Sequence, residues 1–465
     1  MSNYDLLVIG GGPGGYVAAI RAAQYGLRTA VVEKRAQLGG VCLHVGCIPT
    51  KALLHSAGVY ELFLAGEEHG VLCDNVRLDW ARVLERKNKI VQKHARGVEF
   101  LFHKHKVETI PGHGRLKGKG RVEVEGPGGT REVSAKNILL ATGSEARMLA
   151  GLEPDPDRIL TNIEILELKQ VPKSLAIIGA GAVGVEFASI YRRFGSEVTV
   201  LEMLPRLVPL EDEDVSAELG RAFRKQGIAA HTASRVDRVE KKPECVAVEF
   251  LDAAGKAQSL CVEKLLVAVG RKPNTGHLGL ENTAIRADRG FIPVDPWMAT
   301  AEPGVYAIGD IVAASPQLAH VASMEGLVAV GRIAGKSVRP VNYRRIPCCT
   351  YCEPQIGSVG RTEAQARAEG YRVKVGKFGF GANSKASILG SHGGFVKVVS
   401  EEQYGEILGA HIIGPSATEL IAEMVTAMES EATVETMMAS IHAHPTLAEA
   451  MGEAFSAVEG LSIHG

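Results

Sequence analysis

Near the N-terminus the chain has the stretch Leu6-Leu7-Val8-Ile9-Gly10-Gly11-Gly12-Pro13-Gly14-Gly15, a short apolar run that leads directly into a cluster of glycines. An apolar run of this length before glycine predicts a buried strand, and the sequence after it predicts a helix. Gly10, Gly12 and Gly15 give the spacing G-x-G-x-x-G, which allows a tight turn and lets a pyrophosphate approach the helix N-terminus. Glu33 ends the next predicted strand, where a carboxylate binds a ribose hydroxyl. These residues predict a dinucleotide-binding βαβ unit.

The same unit recurs later in the chain. A second apolar strand leads into Gly179-Ala180-Gly181-Ala182-Val183-Gly184, and Glu202 ends the strand after it. From the first glycine of each fingerprint to its acidic residue, both units count 23 positions. Because unrelated core helices do not reproduce such an offset, the sequence predicts two dinucleotide sites and an α/β fold with two Rossmann-like domains.

The second site is expected to bind NAD rather than NADP. Glu202 would accept a hydrogen bond from a free 2′-hydroxyl and would repel a 2′-phosphate. Arg206 is the first basic residue after it, so the segment lacks an adjacent cation for a phosphate.

Two cysteines follow the first unit, in Gly39-Gly40-Val41-Cys42-Leu43-His44-Val45-Gly46-Cys47-Ile48-Pro49-Thr50-Lys51. A continuous helix would hold the Cα atoms of Cys42 and Cys47 roughly 7.5 Å apart, whereas a disulfide needs about 4.4–6.8 Å. The two can therefore pair only across a bend, which Gly46 makes possible. Cys47 would begin the following helix, where the dipole favours a thiolate. A redox-active pair and two buried thiols both remain open at this point.

The composition excludes several classes of protein. The chain has 465 residues, enough for about three domains. Lys and Arg number 52 against 53 Asp and Glu, so neither nucleic acid nor an anionic membrane is an expected partner. The eight cysteines are too scattered for a disulfide scaffold. A strand predicted almost at the N-terminus leaves no room for a signal or transit peptide, and no apolar run reaches about 18 residues, so we expect a cytoplasmic protein.

Further segments extend the repeat and add a different domain. Residues 137–140 predict a strand that ends in Ala141-Thr142-Gly143. Residues 264–271 are the equivalent segment in the second half of the repeat. A third strand ends at Gly309-Asp310, which suits a ribityl or pyrophosphate group or an ordinary turn. From about residue 345, short strand-like and helix-like runs alternate without a third fingerprint. This pattern predicts a C-terminal α+β domain.

One histidine near the C-terminus is a candidate base. His444 precedes Pro445, which restricts its backbone to extended or turn conformations. Glu449 follows at a distance that allows it to bind one ring nitrogen and fix the tautomer of the other. A His and a Glu at this spacing commonly have a structural role. They are candidates for catalysis here because a reactive dithiol at Cys42 and Cys47 would need a base.

The remaining cysteines suggest little chemistry. Cys348, Cys349 and Cys352 include a C-x-x-C spacing, but no second cysteine pair accompanies it, so zinc is disfavoured and no metal is expected. Cys73, Cys245 and Cys261 are isolated in sequence and are expected to be inert.

Taken together, these motifs resemble the dihydrolipoamide dehydrogenases, a branch of the class I pyridine nucleotide-disulfide oxidoreductase family, over essentially the whole chain. The resemblance implies an FAD-binding domain with a redox disulfide, an NAD-binding domain, a central domain and an α+β dimerisation domain, at residues 1–147, 148–272, 273–344 and 345–465. It assigns to FAD the residues Gly10, Gly12, Gly15, Glu33, Lys51, Gly143, Gly309, Asp310 and Ala319. It assigns to NAD the residues Gly179, Gly181, Gly184, Glu186, Glu202 and Gly270.

The resemblance also implies an activity. Cys42 would exchange with the substrate and Cys47 would face the flavin, with Lys51 beside the flavin N5. His444 would be the base and Glu449 its partner, acting on the active site of the other subunit, so the enzyme would be a homodimer. The reaction would be oxidation of a dihydrolipoyl group, carried by a protein of a 2-oxoacid dehydrogenase or glycine cleavage complex, with reduction of NAD.

Two departures and two alternatives accompany this interpretation. The family usually has Asn where this chain has His44, and often Ser where it has Thr50; an imidazole between the cysteines would alter their thiol pKa values. The chain could instead reduce another disulfide with NADH. It could also be a mainly structural flavoprotein subunit, although such a subunit would be expected to have lost Cys42, Cys47 or His444.

Overall fold

The computed structural model describes residues 3–465. The α-helices, in chain order, are α1 Pro13–Gln24, α2 Gly40–Val45, α3 Cys47–Leu64, α4 Trp80–His105, α5 Ala182–Arg193, α6 Glu213–Lys225, α7 Ala319–Ile333, α8 Glu363–Ala368, α9 Ser384–Ile388, α10 Ala417–Glu429, α11 Val434–Met438 and α12 Glu449–Val458.

The first fifteen strands are β1 Tyr4–Ile9, β2 Thr29–Glu33, β3 Glu108–Pro111, β4 His113–Gly118, β5 Arg121–Gly126, β6 Gly129–Leu140, β7 Ser144–Ala146, β8 Ile159–Leu160, β9 Ser174–Ile178, β10 Glu197–Leu201, β11 Ala229–His231, β12 Arg235–Lys241, β13 Val246–Leu251, β14 Ala257–Val262 and β15 Lys264–Val267. The last seven are β16 Arg271–Pro273, β17 Val305–Ala307, β18 Cys348–Thr350, β19 Gln355–Gly360, β20 Val373–Gly379, β21 Phe395–Glu401 and β22 Ile407–Gly414.

The two fingerprints lie in parallel sheets whose first four strands have the same order, while the fifth strand comes from later in the chain in the first sheet and from earlier in the second. Parallel strands of the first run in the order β3-β2-β1-β6-β17, and those of the second in the order β11-β10-β9-β15-β8. In each sheet the strand before the fingerprint is central and almost wholly buried, as expected where helices cover both faces. The ligand edge of each sheet is the carboxyl end of these strands. The prediction of two Rossmann-like folds is confirmed.

Smaller antiparallel elements complete these regions. β4, β5 and the first part of β6 form one antiparallel sheet, and β12, β13 and β14 form another. The pairing of β7 with β16 joins the segment after β6 to the segment after β15.

The C-terminal region is the predicted α+β domain. Its antiparallel sheet has the order β18-β19-β22-β21-β20, and β21 and β22 are buried along nearly their whole length. Helices α10 and α12 cover one face through an apolar core that includes Ile421, Met424, Ala454 and Phe455. An antiparallel sheet with helices on one face is the α+β arrangement.

The described chain divides into two compact units, each built from three segments. One comprises residues 3–52, 82–147 and 271–341, and the other comprises 53–81, 148–270 and 342–465. The four domain boundaries drawn from the sequence stay a prediction. Within the described residues, no helix is both long enough and apolar enough to cross a membrane.

The prediction that Cys245 and Cys261 are isolated is wrong, because the structure joins them in a disulfide with a Cα–Cα distance of 5.7 Å. Cys261 lies in β14 opposite Ala247 of β13, and Cys245 is two residues before Ala247. The side chains of Cys245 and Ala247 share one face of the hairpin, since side chains alternate along a strand. The two cysteines are 16 positions apart in sequence but form a diagonal cross-strand pair in the hairpin.

Candidate active site

Cys42 and Cys47 form a disulfide with a Cα–Cα distance of 4.7 Å. Helix α2 carries Cys42, helix α3 begins at Cys47, and Gly46 lies between the two helices with φ −143° and ψ −113°. The predicted bend at Gly46 is therefore present, and the alternative of two unpaired buried thiols is excluded. A Cβ atom added at Gly46 would lie 3.2 Å from the Cα of Cys42, so glycine also keeps this turn free of crowding against the disulfide.

The start of α3 places charge beside the second sulfur. Cys47 is the first residue of α3, where the helix dipole lowers the free energy of a thiolate. Lys51 is one turn further along, and residues four apart share a helix face. Thr50, which the family often replaces by Ser, donates from its hydroxyl to the carbonyl of Gly46 at 2.6 Å. A serine hydroxyl could make the same bond.

His44 binds away from the disulfide. Its Nε2 lies 2.8 Å from the carbonyl oxygen of Leu38, and because a carbonyl only accepts, Nε2 carries the proton. His44 and Cys42 are two positions apart on α2, a spacing that puts side chains on different faces. The imidazole thus ties α2 to the preceding loop, and its effect on the cysteine thiols stays a prediction.

The first glycine cluster forms a cradle that side chains would fill. A Cβ atom at Gly15 would lie 1.9 Å from the carbonyl oxygen of Gly10, and one at Gly10 would lie 2.3 Å from that of Ala141. Gly10 has φ +108°, a conformation that glycine adopts without strain. Gly12 is the N-cap residue of α1 and has no side chain to occupy the first N–H groups of the helix. This arrangement fits a pyrophosphate at the helix N-terminus.

Glu33 is buried and holds the fingerprint turn in place. Its Oε2 accepts from the N–H of Gly11 at 2.7 Å, and its Oε1 accepts from the N–H of Arg35 at 2.8 Å. A carboxylate has about four acceptor positions, so both oxygens can still accept from ribose hydroxyls. The acid therefore has a structural role that sequence reasoning missed, in addition to the predicted ligand role.

On the other side of the first sheet, Asp310 belongs to a polar cluster. Its Oδ2 accepts from the hydroxyl of Ser144 and lies 3.7 Å from Nε of Arg271. Arg271 also donates from Nε to the Ser144 hydroxyl at 2.6 Å. Burial lowers the pKa of Arg271, and the neighbouring Asp310 opposes that shift. Because Arg271 and Ser144 are far apart in sequence, only the pairing of β7 with β16 brings them to Asp310.

The turn that carries Gly309 depends on a buried acid. Glu325, on α7, accepts from the N–H of Gly309 at 2.6 Å and from the hydroxyl of Ser315 at 2.6 Å. Ala319 is the first residue of α7, so its N–H belongs to the helix N-terminus. Gly143 has φ +67° and follows the strand that pairs with β1. These residues lie near the carboxyl ends of neighbouring strands and fit the predicted cofactor site.

The second glycine cluster reproduces the first almost atom for atom. A Cβ atom at Gly184 would lie 1.9 Å from the carbonyl oxygen of Gly179, and Gly181 is the N-cap residue of α5. Glu202 accepts from the N–H of Ala180 at 2.6 Å and from that of Leu204 at 2.8 Å. Gly270, after β15, has φ +107°. The geometry suits a second dinucleotide.

Glu186 lies in α5, buried, and accepts from the N–H of Tyr351 at 2.9 Å. One turn later, Ser189 accepts from the N–H of Glu353 at 3.0 Å. Two bonds thus fasten the loop after β18 to the helix that begins at the second fingerprint. Nothing in the sequence between these positions predicted that contact.

His444 and Glu449 form the predicted pair. His444 Nδ1 lies 2.8 Å from Glu449 Oε1, and the imidazole is 70% exposed. The N–H of Thr446 donates to the other carboxylate oxygen at 2.8 Å, and this bond, followed by the His444 bond, lowers the pKa of Glu449. A carboxylate on Nδ1 fixes the proton there and leaves Nε2 as the basic nitrogen. The pair can therefore accept a proton from a thiol.

A second histidine–carboxylate pair anchors the same segment. His442 Nε2 lies 2.9 Å from Glu423 Oε1 on α10, and the side chain of His442 is largely buried. This pair positions the segment that carries His444. The two histidines at 442 and 444 can be seen in the sequence. The partner of His442, which is Glu423, lies 19 residues upstream and could not be identified from the sequence.

Two of the three clustered cysteines, Cys348 and Cys352, are not suited to thiol chemistry. Burial raises the pKa of Cys348 to about 11, and burial raises the pKa of Cys352 well above its usual range. Both thiols therefore stay protonated near neutral pH, and a protonated thiol is a poor nucleophile or metal ligand. In residues 3–465 there is no group of three or more His, Cys, Asp or Glu side chains placed to hold a metal ion.

Comparisons with known proteins agree with this geometry. A family model described as pyridine nucleotide-disulphide oxidoreductase matches residues 4–326, and one described as the dimerisation domain of the same family matches residues 346–455. The dihydrolipoyl dehydrogenase of Bacillus subtilis is 43% identical over 474 residues, which cover 100% of this chain and 99% of the relative. That of Chlorobaculum tepidum is 45% identical over 462 residues, which cover 99% and 98%.

Solved structures give the same picture. LpdA from Mycobacterium tuberculosis aligns with a TM-score of 0.89 at 27% identity, covering 97% of this chain and 98% of that chain. The HOCl-induced flavoprotein disulfide reductase RclA from Escherichia coli aligns with a TM-score of 0.87 at 27% identity, covering 97% and 99%.

Proposed function

The chain belongs to the pyridine nucleotide-disulphide oxidoreductase family, and from that membership we propose that it oxidises a dihydrolipoyl group to its cyclic disulfide and reduces NAD to NADH. The single observation that carries the proposal is the Cys42–Cys47 disulfide, which follows the first dinucleotide-binding βαβ unit. Full-length relatives with 43% and 45% identity are dihydrolipoyl dehydrogenases. The enzyme is a flavoprotein that uses FAD and NAD.

The first site fits FAD. The glycine cradle would receive the pyrophosphate, Glu33 a ribose, and Asp310 the ribityl or pyrophosphate region. Lys51 and the N-terminus of α7 at Ala319 would present positive charge to the reactive ring. When bound, FAD accepts an electron pair from the dithiol and passes it to NAD as hydride, chemistry that no side chain supplies. Glu202 and the second cradle would hold NAD as the substrate.

The first thiol exchange begins at His444. With Nδ1 occupied by Glu449, Nε2 removes a proton from one substrate thiol. The resulting thiolate attacks Cys42, a new S–S bond forms between the two, and the Cys42–Cys47 bond breaks. Cys47 leaves as a thiolate, which the N-terminus of α3 and the nearby Lys51 stabilise.

The second exchange releases the product. Nε2 of His444 releases its first proton to solvent and then takes the proton of the second substrate thiol. That thiolate attacks the substrate sulfur bound to Cys42, so the cyclic disulfide forms and Cys42 leaves as a thiol or thiolate. The substrate has then lost two electrons and two protons, and Cys42 and Cys47 have gained the electron pair. Both departing sulfurs lie at or next to a helix start.

The dimerisation domain supports a homodimer. We propose that His444 acts on the disulfide of the other subunit, so that each active site is shared, and that the lipoyl group arrives on a carrier protein of a 2-oxoacid dehydrogenase or glycine cleavage complex in the cytoplasm. In the single chain the imidazole of His444 is 70% exposed, which leaves it accessible to the active site of a second subunit.

Two other functions make different predictions. A reductase of another disulfide would oxidise NADH with that compound and would turn over dihydrolipoamide poorly. A structural subunit would bind FAD but would show no turnover. The intact Cys42, Cys47 and His444 favour catalysis.

The test is NADH formation, followed by absorbance, when dihydrolipoamide and NAD are added to the purified flavoprotein. Cys47→Ser is the comparison, with Cys73→Ser, an exposed cysteine outside the site, as the matched control. Steady NADH formation that Cys47→Ser abolishes and Cys73→Ser retains supports the proposal. A yellow protein whose flavin is reduced by NADH but which gives no NADH from dihydrolipoamide would exclude lipoyl groups as the substrate.

A further inference from the structure

Helix α4 concentrates positive charge. Between Trp80 and His105 the sequence has seven Lys and Arg against two Glu, a formal charge of +5, whereas the whole chain carries −1. The rest of the chain is therefore acidic, and α4 differs from it in sign. A charge of this size on a single helix creates a local potential that attracts an acidic partner.

The cations follow one face of the helix. Arg82, Arg86, Lys89, Lys93 and Arg96, here called the basic stripe, are spaced alternately four and three residues apart, and all five are exposed. Residues at such spacings share a face, so the stripe is continuous over 14 rises of about 1.5 Å, roughly 21 Å. Its charges are accessible from solvent along that length.

One cation of the stripe pairs with a carboxylate of its own helix. Lys89 pairs with Glu85 at 2.6 Å, and both side chains are more than half exposed. Such a pair is weak and screened, so a partner's carboxylates could compete for the lysine. Phe100, 64% exposed, lies seven positions beyond Lys93 and adds an apolar contact near the end of the stripe.

The opposite face of α4 contributes to the same apolar cluster as residues beside the two disulfide cysteines. Ala95, Val98 and Phe102 share one buried apolar cluster with Leu43, next to Cys42, and with Ile48, next to Cys47. On the stripe itself, Arg86 donates from its guanidinium to the carbonyl oxygen of Ala52 on α3 at 3.1 Å. The stripe therefore lies on a helix that is bonded to α3, the helix that begins at Cys47.

We propose that the basic stripe is the docking surface for an acidic carrier domain that presents the dihydrolipoyl group. The inference rests on the proposed function and names where its macromolecular substrate binds. A tethered dithiol must be brought to the disulfide and released after each turnover, which suits a screened electrostatic contact that speeds association without tight binding. The contact would lie on a helix that is bonded to α3, which begins at Cys47.

The test compares a carried substrate with a free one. The substrates are an isolated acidic lipoyl domain of a 2-oxoacid dehydrogenase complex, in its reduced form, and free dihydrolipoamide. The variant is Lys93→Glu with Arg96→Glu, and the matched control is Arg224→Glu with Lys225→Glu, two exposed cations on α6. The readout is the ratio of kcat/KM for the domain to kcat/KM for dihydrolipoamide, measured at low and high salt.

We expect the stripe variant to lower this ratio about tenfold or more at low salt, since electrostatic steering changes association rates by about 10- to 1,000-fold. The wild-type ratio should fall towards the variant's ratio as salt is raised. The control should keep the wild-type ratio. A milder variant, Lys93→Gln with Arg96→Gln, should lie between them, and melting temperatures show whether each variant is folded.

Three results would overturn the inference. The first is an unchanged ratio in the stripe variant. The second is a stripe variant that is monomeric in gel filtration, which would mean that the stripe faces a second copy of the chain, and the third is a stripe variant that loses binding to duplex DNA but keeps the wild-type ratio. In all three cases the wild-type enzyme would still oxidise free dihydrolipoamide. A wild-type enzyme that oxidises neither substrate would instead refute the proposed function, so the two failures are distinguishable.

Discussion

The two dinucleotide regions are built alike up to their acidic residues and then diverge. Glu33 and Glu202 accept from equivalent backbone N–H groups at 2.7 and 2.6 Å. Nine positions after each acid, the first region has Cys42 and the second has Glu211. The first segment then forms the disulfide, whereas the second forms a buried acidic turn in which Asp212 pairs with Lys397 at 2.8 Å. The same βαβ unit is thus followed by a disulfide in one region and by a buried acidic turn in the other. The segment after the second strand of the unit makes this difference.

The cradles also differ in how tightly they are enclosed. A Cβ atom at Gly14 would lie 2.9 Å from the carbonyl oxygen of Ala322 on α7, whereas Val183 at the equivalent position is 41% exposed. The first fingerprint helix is packed against α7, and the second leaves this position open to solvent. Close packing suits a cofactor that stays bound, and an open position suits a substrate that exchanges each turnover.

The largest effect is expected when a methyl group is added to the glycine cluster of one dinucleotide region at a time. Gly15→Ala and Gly184→Ala each place a Cβ atom 1.9 Å from a carbonyl oxygen. Gly15→Ala should give colourless, inactive protein, because the FAD pyrophosphate can no longer approach the helix. Gly184→Ala should keep its flavin and its reduction by dihydrolipoamide but form no NADH. Flavin absorbance and NADH formation test both, and loss of flavin from Gly184→Ala would show that the sites are not independent.

A smaller effect is expected from the matched pair Gly14→Ala and Val183→Ala. The first forces Ala322 or α1 to move, and overpacking of this kind changes free energies by about 1–3 kcal/mol, so FAD should dissociate roughly ten times faster or more. The second shortens an exposed side chain and should change KM for NAD by less than about twofold. Flavin release on dilution and steady-state kinetics measure the pair. Equal flavin retention in both variants would contradict the difference in enclosure.

Glu202→Ala should lower kcat/KM for NAD about tenfold, since hydrogen bonds to a charged group contribute about 1.5–3 kcal/mol. The ratio of NADP to NAD turnover should rise because the charge that repels a 2′-phosphate is removed. Flavin content should stay constant, since Glu33 holds the other cradle. Glu197→Ala, exposed on the same strand, is the control. An unaltered preference for NAD would exclude Glu202 as the specificity residue.

The acidic turn of the second region gives the smallest effect, and it depends on pH. Burial raises the pKa of Glu211 from 4.5 to about 7 in the folded protein. Between these values the unfolded chain releases the proton and the folded chain keeps it, so stability falls as the pH rises from about 4.5 to 7 and then levels off. Glu211→Gln should therefore gain about 1–2 kcal/mol relative to the wild type between pH 5 and pH 8. Thermal unfolding measures this.

Glu213→Gln is the control for that experiment, because Glu213 is exposed and pairs with Arg206 at the surface. It should show the same pH dependence as the wild type. If Glu211→Gln also showed it, Glu211 would not be the group that titrates.

Sequence spacing predicted what depends on local order. The two glycine-rich turns, the bend at Gly46 and the pairing of His444 with Glu449 are each contained in a short stretch, and the structure has each of them. The function of individual residues within these sites stays a prediction.

Contacts between distant segments could not be predicted. Arg271 meets Asp310 only because β7 pairs with β16, and His442 meets Glu423 only because α10 packs beside its loop. The Cys245–Cys261 bond was missed for the same reason, since a hairpin register decides which cysteines face each other. In each case the fold, not the spacing, chose the partner.

The most direct measurement is to map which cysteines gain thiols when NADH reduces the flavoprotein without oxygen. Thiols are trapped with an alkylating reagent before and after reduction and located by mass spectrometry. If electrons pass from the second dinucleotide site through the first to the adjacent disulfide, new label will appear at Cys42 and Cys47 and will be absent from Cys245 and Cys261. Label confined to Cys245 and Cys261, or no new label in a protein whose flavin is reduced, would contradict that route.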